Sequence, residues 1–241
     1  MILGIGRGTA FNFYEYRAYG IPFSEAQGRL IESEEILIKA WTTENYKHEG
    51  EHFNIEIPAL RPQVYTKPHP QMIRAVATEA SMVSMGEQGR PFMVVGQPDD
   101  ETARRFGVYK TTMTESGYDD EAIEKNMEQC WIWRNIFLAE TDEEAELLFT
   151  SVKQQFMNMR RGLNRPFAKP MPNFDEYCTA ADEAMLSNVL RYALVGAKET
   201  VQNKLAQFVE ATGVDEIIVS MPIYDIEARL FSVNAFAEIA S

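Results

Sequence analysis

The sequence predicts an α/β protein in which the strands of a parallel sheet alternate with covering helices. Short apolar runs of strand length end in glycine or in polar loops, and most are followed by a segment with apolar residues at helical spacing. The chain contains no internal repeat and no low-complexity segment. Such alternation fits a doubly wound sheet or a β/α barrel, and in both folds ligands bind at the carboxyl ends of the strands.

Five apolar runs have the length of strands. We predict strands at residues 2–5, 71–77, 91–95, 130–139 and 215–220. Residues 46–57 alternate around Gly50 and predict a β-hairpin or a pair of extended arms. Four prolines between residues 58 and 70 keep the next segment out of a helix.

Six segments show features of helices. They lie at residues 24–41, 80–88, 99–116, 141–161, 198–211 and 225–240. The helix at residue 99 opens with three acidic residues that complement its dipole, and Thr141 with Glu144 resembles a capping box. Gly117 and Gly213 end two of the helices. Three prolines predict an irregular excursion over one face of the protein at residues 162–188. We predict a single domain that spans residues 1–241.

Composition excludes several classes of protein. A net charge of −13 disfavours binding to nucleic acid or to an anionic membrane surface, because both need clustered lysine and arginine. The chain has two cysteines, Cys130 and Cys178, and neither has a second cysteine or a histidine at metal-binding spacing. Reduced thiols and the lack of a secretory signal or an 18-residue apolar run predict a cytoplasmic protein.

The first predicted strand ends in a Gly-Arg-Gly turn. Gly6 and Gly8 permit positive φ and a close approach of the backbone, and the guanidinium of Arg7 can bind a phosphate through two parallel hydrogen bonds. A dinucleotide fingerprint would require glycine at position 9, where the chain has Thr9. The alternative to a phosphate site is a strand-to-loop turn that needs glycine only for its geometry.

A second loop follows the second strand of the predicted sheet. Its residues are Ala77, Thr78, Glu79 and Ser81, and its amides and hydroxyls can surround a phosphate at a helix N-terminus. Because the carboxylate of Glu79 would repel a phosphate, we expect it to point away or to pair with Arg7 or Arg74. The alternative is that Thr78 or Ser81 is simply an N-cap.

Three other motifs have simpler explanations. Residues 48–52 read His-Glu-Gly-Glu-His, which matches a zinc-protease pattern, but the central Gly50 and the extended pattern after it favour a turn, so we expect no metal site. The segment from Val195 to Lys198 is a second anion site or a plain helix entry. Trp131 and Trp133 share one side of a strand and are expected in the core.

Taken together, a series of motifs resembles the bacterial luciferase-like flavin monooxygenases. The motifs occur in the same order as in that family: residues 3–8, 15–20 and 32–36, Trp41, residues 49–50, Phe53, residues 68–70, 77–81, 137–141, 195–196 and 213–217. The resemblance covers the C-terminal two thirds of the family's barrel. It implies a TIM-type (β/α)8 barrel of which this chain carries strands four to eight and lacks the first three.

The resemblance also implies an activity. Members bind reduced FMN that a separate flavin reductase supplies, and they use O2 to oxidise a small organic substrate. Gly6, Arg7 and Gly8 then stand at the family's phosphate-binding arginine, and residues 77–81 stand where the family surrounds the same phosphate. No catalytic residue can be named from the sequence. The alternative function is a non-catalytic FMN- or phosphate-binding protein of the same fold.

A sheet without its first three strands would leave two unpaired edges. The alternatives are that the chain is a truncated form of a longer protein, that another chain completes the sheet, or that the reduced fold is stable as it stands. Of these we favour truncation. Homo-oligomerisation is the expected compensation.

Overall fold

The computed structural model describes residues 2–8, 13–214 and 216–240, and it contains two compact units, Met1–Ala75 and Val76–Ser241. Strands β1 (Ile2–Ile5) and β4 (Gln71–Val76) pair in parallel through residues 71–74 of the first unit, with Ile2 opposite Gln71 and Ile5 opposite Arg74. Between them lie helix α1 (Phe13–Ala18), a 3-10 turn (Phe23–Glu25) and helix α2 (Ala26–Thr42). An antiparallel hairpin of β2 (Tyr46–Glu49) and β3 (Asn54–Ile57) follows, as the alternation around Gly50 predicted.

The second unit contains a parallel sheet centred on strand β6 (Trp131–Leu138). Three strands pair with β6, namely β5 (Phe92–Val95), β7 (Leu194–Gly196) and β8 (Ile217–Ser220). The helices are α3 (Glu79–Glu87), α4 (Asp99–Glu115), α5 (Asp120–Met127), α6 (Asp142–Arg160), α7 (Phe174–Tyr177), α8 (Ala180–Leu190), α9 (Lys198–Thr212) and α10 (Ile226–Ile239). The predicted parallel α/β architecture is confirmed, whereas closure into a barrel stays a prediction.

Three apolar clusters support the sheet of the second unit. Phe92 on β5 and Tyr109 on α4 are fully buried in the first cluster, with ring centroids 4.8 Å apart. A second cluster packs α6 and α8 against the end of β6, and a third packs α9 and α10 against β6 and β7. These clusters fix the helices that begin at the carboxyl ends of the strands.

Part of the predicted excursion is helical. Residues 163–173 are irregular, as predicted, but α8 occupies residues 180–190. Its N-terminus is a reciprocal capping box: the Thr179 side chain accepts from the Asp182 amide, and the Asp182 carboxylate accepts from the Thr179 amide at 3.1 Å. The prediction was wrong only for the later part of the segment, because prolines upstream obscured the local Thr-x-x-Asp signal.

Helices α1, α5 and α7 and strand β7 were also not predicted from the sequence. Helix α5 carries few apolar residues, and it begins where the Asp119 carboxylate accepts from the Ala122 amide at 2.9 Å. Strand β7 is three residues long, too short for an apolar run to indicate it. Among the residues that the structure describes, no helix is long and apolar enough to cross a membrane.

Candidate functional site

The Gly-Arg-Gly turn directly follows β1, as predicted. Gly8 has φ of 78°, a left-handed conformation that glycine adopts without strain. The Arg7 side chain is exposed, and its guanidinium carbon lies 5.6 Å from the centroid of the Phe23 ring. The Tyr16 hydroxyl donates to the Arg7 carbonyl. The turn is therefore held by its backbone while the cation faces solvent.

A cleft of about 420 Å³ lies beside this turn, within the first unit. Its walls come from the end of β1, from Gly6 and Arg7 in the turn that follows, and from Arg29, Leu30 and Ser33 on α2. Arg29 forms an ion pair with Glu25, with 2.7 Å between Nη2 and Oε2, so Arg7 and Arg29 place two guanidinium groups and one nearby carboxylate around the cleft. This arrangement suits an anionic group better than a cationic one.

The predicted N-cap at Thr78 is confirmed. Thr78 Oγ1 accepts from the Ser81 amide at 3.3 Å and lies 2.9 Å from Ser81 Oγ. Ala77 and this cap belong to the second unit, whereas Gly6, Arg7 and Gly8 belong to the first. A phosphate-binding role for residues 77–81 stays a prediction.

Glu79 forms an ion pair with Arg104 of α4, a partner that the sequence did not suggest, so the alternative in which Glu79 pairs with Arg74 was wrong. Arg74 instead pairs with Glu34 of α2. Arg104 also binds Glu101, with 2.7 Å between Nε and Oε2. Because the charge of Glu79 is offset by a neighbouring cation, its repulsion of an anion near residues 77–81 is weaker than the sequence suggested.

Two arginines behind this loop were missed by the sequence analysis. Arg105 Nη1 donates to the Ala77 carbonyl at 3.1 Å and to Gln97 Oε1 at 2.7 Å, which ties the loop to α4. Hydrogen bonds from Arg104 and Arg105 lower the pKa of Glu101 to about 2, although partial burial opposes this effect. The adjacent Arg-Arg pair one turn into an acidic helix was the available signal.

Arg134 is a third unexpected cation, since it lies in the middle of an apolar strand and is 1% exposed. Its Nη2 donates to the Gln97 carbonyl and to Asp99 Oδ1, both at 3.1 Å, and its guanidinium carbon lies 4.7 Å from the Phe208 ring centroid. Burial lowers the pKa of Arg134, and Asp99 opposes that shift. Arg134 therefore fixes the loop that follows β5.

The entry to α9 is occupied by a side chain. Asp142, the first residue of α6, accepts from the Ala197 amide at 2.6 Å and from Thr200 Oγ1 at 3.0 Å. These bonds lower the pKa of Asp142. Gly196 has φ of 153°, and a Cβ there would lie 2.6 Å from Asp142 Oδ1. The segment from Val195 to Lys198 is thus a helix entry with an internal carboxylate, and the alternative of an external anion site was wrong.

The histidine motif forms the hairpin and its turn. Glu32 of α2 accepts from the amides of Glu51, His52 and Phe53 at 2.9–3.2 Å, and it contacts His48 Nε2 at 3.2 Å. A side chain at Gly50 would collide with Glu32 and His48. Within the described residues, no group of three histidine, cysteine or acidic side chains is arranged to hold a metal ion.

We expect the Glu32 carboxylate to make the stability of the protein depend on pH. Burial raises the pKa of Glu32, but hydrogen bonds from His48 and from the three turn amides outweigh it and hold the pKa below its ordinary 4.5. The stabilisation is therefore fully present above that value and is lost as the pH falls through the lowered pKa. We expect Glu32→Gln to flatten the acid side of the stability profile, measured by urea unfolding at several pH values. Glu51→Gln, an exposed carboxylate in the same turn, is the control, and equal flattening by both variants would contradict the assignment.

The remaining residues noted in the sequence are Trp131, Trp133 and the two cysteines. Trp131 and Trp133 are half-buried rather than in the core, and Trp131 Nε1 donates to Glu216 at 2.9 Å. Both cysteines are free thiols. Cys130 is buried in the first apolar cluster, where burial raises the thiol pKa to about 12, and Cys178 is half-buried.

The chain is an α/β protein with parallel strands, and the loops that follow two of these strands carry an exposed arginine and a capped helix. The chain belongs to the luciferase-like monooxygenase family, whose model matches residues 1–216. It is 36% identical over 98 residues to a luciferase-like monooxygenase of Escherichia coli K12, a match that covers 41% of this chain and 29% of the relative.

Solved structures agree in fold. The monooxygenase RslO1 from Streptomyces bottropensis superposes with a TM-score of 0.69 at 20% identity, over 98% of this chain and 66% of that one. The oxygenating constituent of 3,6-diketocamphane monooxygenase from Pseudomonas putida was solved with FMN. It superposes with a TM-score of 0.67 at 21% identity, over 99% of this chain and 70% of that one. The chain thus spans about two thirds of the length of these structural neighbours.

Proposed function

We propose that this chain is, or is part of, an FMN-dependent monooxygenase that uses reduced FMN and O2 to oxidise a small organic substrate. Membership of the luciferase-like monooxygenase family supports the reaction class. The FMN complex of the Pseudomonas putida neighbour supports the cofactor. The observation that carries the proposal is the exposed Arg7 guanidinium on a left-handed glycine turn, at the carboxyl end of a parallel strand and beside a cleft of about 420 Å³.

Arg7 would hold the FMN phosphate, since a guanidinium binds phosphate through two parallel, charge-assisted hydrogen bonds. The backbone of Gly6 and Gly8 allows a phosphate to approach closely. In the second unit, the amides that begin α3 and the hydroxyls of Thr78 and Ser81 are donors for the same chemistry. FMN, when bound, supplies the redox chemistry with O2, while the chain binds and orients it and limits the access of water.

The proposal includes partners. A separate flavin reductase would supply the reduced cofactor, and the chain would associate with further copies of itself. Turnover separates this enzyme from a flavin-binding protein without activity. Given reduced FMN, O2 and a panel of ketones and aldehydes, a monooxygenase consumes substrate, whereas a binding protein releases only peroxide.

The phosphate assignment makes a direct prediction. Arg7→Ala is expected to weaken FMN binding at least about tenfold, because a charge-assisted contact of this kind contributes about 1.5–3 kcal/mol. Affinity for riboflavin, which lacks the phosphate, is expected to change little. Both affinities are measured by quenching of flavin fluorescence, with Arg17→Ala as the control for an exposed arginine of the same unit. Unchanged FMN affinity, or equal losses for FMN and riboflavin, would refute the assignment.

A further inference from the structure

The second unit contains a cavity that shares no residue with the proposed phosphate loops. Its volume is about 360 Å³, within the range of small-molecule sites, and its walls come from α6, α7, α8, β7 and α9. Five apolar side chains that are each less than 9% exposed line it: Phe149, Phe174, Leu186, Leu190 and Val195. A site with these walls favours an apolar ligand.

The rim of the cavity is charged but balanced. Three cations, Lys153, Arg191 and Lys204, face three anions, Glu146, Asp175 and Glu183. Lys153 is paired with Glu146 at 2.8 Å, and Lys204 Nζ donates to the Val195 carbonyl at 2.8 Å. Because the rim has no net charge, it gives no advantage to a ligand of either sign and favours an uncharged one.

The walls are fixed by contacts outside the cavity. The capping box of Thr179 and Asp182 begins α8, and Arg161 Nη2 binds Asp182 Oδ2 at 2.7 Å, which ties α8 to the end of α6. Thr150 Oγ1 accepts from the Met171 amide at 2.9 Å and holds the loop before α7. A cavity whose walls are held in this way is preformed, so a ligand pays little to order it.

We propose that this cavity is a binding site for a small, uncharged and largely apolar molecule, separate from the FMN function. Cys178 lines the cavity, so its thiol reports occupancy. The other cysteine, Cys130, is 3% exposed in an apolar cluster and does not compete for a thiol reagent. The inference does not depend on flavin binding, because every lining residue lies in the second unit and the test uses flavin-free protein.

The probe is prodan, a neutral naphthalene ketone whose emission shifts to the blue in apolar surroundings. Ser187→Trp places an indole at the wall of the cavity and is expected to weaken prodan binding at least about tenfold through steric occlusion. Asn188→Trp is the matched control, since Asn188 is exposed on the same helix and does not line the cavity. This control is expected to bind prodan within about twofold of the parent chain.

Alkylation of Cys178 provides the second readout. Burial and the nearby Asp182, Glu183 and Asp175 raise the pKa of this thiol, so iodoacetamide is used above neutral pH and labelling is followed by peptide mass spectrometry. Prodan at about ten times its parent-chain Kd is expected to slow labelling of Cys178 about tenfold in the parent chain and at most about twofold in Ser187→Trp. Equal prodan affinity in the two tryptophan variants, or a labelling rate that prodan leaves unchanged, would overturn the proposal.

Discussion

Replacing Arg74 with methionine is expected to lower the free energy of unfolding by about 3–5 kcal/mol, because it leaves the Glu34 carboxylate buried without its cationic partner. Arg74 on β4 is 6% exposed, Glu34 on α2 is 3% exposed, and the two form an ion pair. The measurement is the denaturation midpoint in urea at neutral pH, with the slope checked for a change in cooperativity.

Two further variants make this prediction specific to burial. The double variant Arg74→Met with Glu34→Leu removes both charges and is expected to recover most of the loss, since apolar replacement of a buried pair is often neutral or stabilising. Lys47→Met removes one partner of the exposed Lys47–Glu56 pair, whose atoms are 3.5 Å apart with side chains 60% and 67% exposed. That change is expected to cost less than about 1 kcal/mol. A double variant as unstable as Arg74→Met would show that the cost lies in packing rather than in the unpaired charge.

The second large effect is expected at Phe92. Phe92→Ala should destabilise the second unit by about 3–5 kcal/mol, because it empties a fully buried site between β5 and α4. The ring packs edge-on against Tyr109 at 4.8 Å and lies 5.7 Å from the Phe106 ring, so aromatic contacts are lost with the buried area. Thermal unfolding followed by near-ultraviolet circular dichroism measures the loss.

The matched control for Phe92 is Phe231→Ala on α10. Phe231 is 42% exposed, so its truncation should cost less than about 1 kcal/mol. Met82 and Met85 of α3 belong to the same cluster as Phe92, so a loosened cluster would also disturb the helix that Thr78 caps. If residues 77–81 bind the phosphate, Phe92→Ala should weaken FMN binding as well as the fold, whereas Phe231→Ala should weaken neither. A loss below 1 kcal/mol for Phe92→Ala would mean that the neighbouring side chains collapse into the space.

Local sequence signals were sufficient to predict those parts of the structure whose conformation depends on neighbouring residues. The apolar run of β1, the turn around Gly50 and the N-caps at Thr78 and Thr141 were all predicted, because hydrogen bonds or steric limits within a few residues determine them. The capping box predicted for Thr141 and Glu144 is only half formed. The Glu144 amide donates to Thr141 Oγ1, but the Glu144 carboxylate accepts from the Glu140 amide rather than from the Thr141 amide.

Contacts between distant residues were not predictable in the same way. Glu79 with Arg104, Arg105 with the Ala77 carbonyl, Arg134 with Asp99 and Asp142 with the α9 entry join residues 25 to 55 positions apart. A charged residue has many possible partners in the sequence, and only packing of the helices against the sheet selects one of them. The cavity beside Cys178 is a stronger case, because its walls come from five elements, and two of them, α7 and most of α8, lie in the segment that was predicted to be irregular.

The sequence by itself determined the parallel α/β class, the family resemblance and the Gly-Arg-Gly turn with an arginine suited to phosphate, because periodicity, glycine geometry and residue order are properties of the linear chain. The tertiary structure alone decided which charges are neutralised, including Glu79 by Arg104 and the α9 N-terminus by Asp142. It also decided that Arg7 is exposed beside a cleft and that a second cavity lies among α6, α8 and α9. The physical reason is that solvent exposure and ion pairing depend on distances between elements, which the order of residues along the chain does not specify.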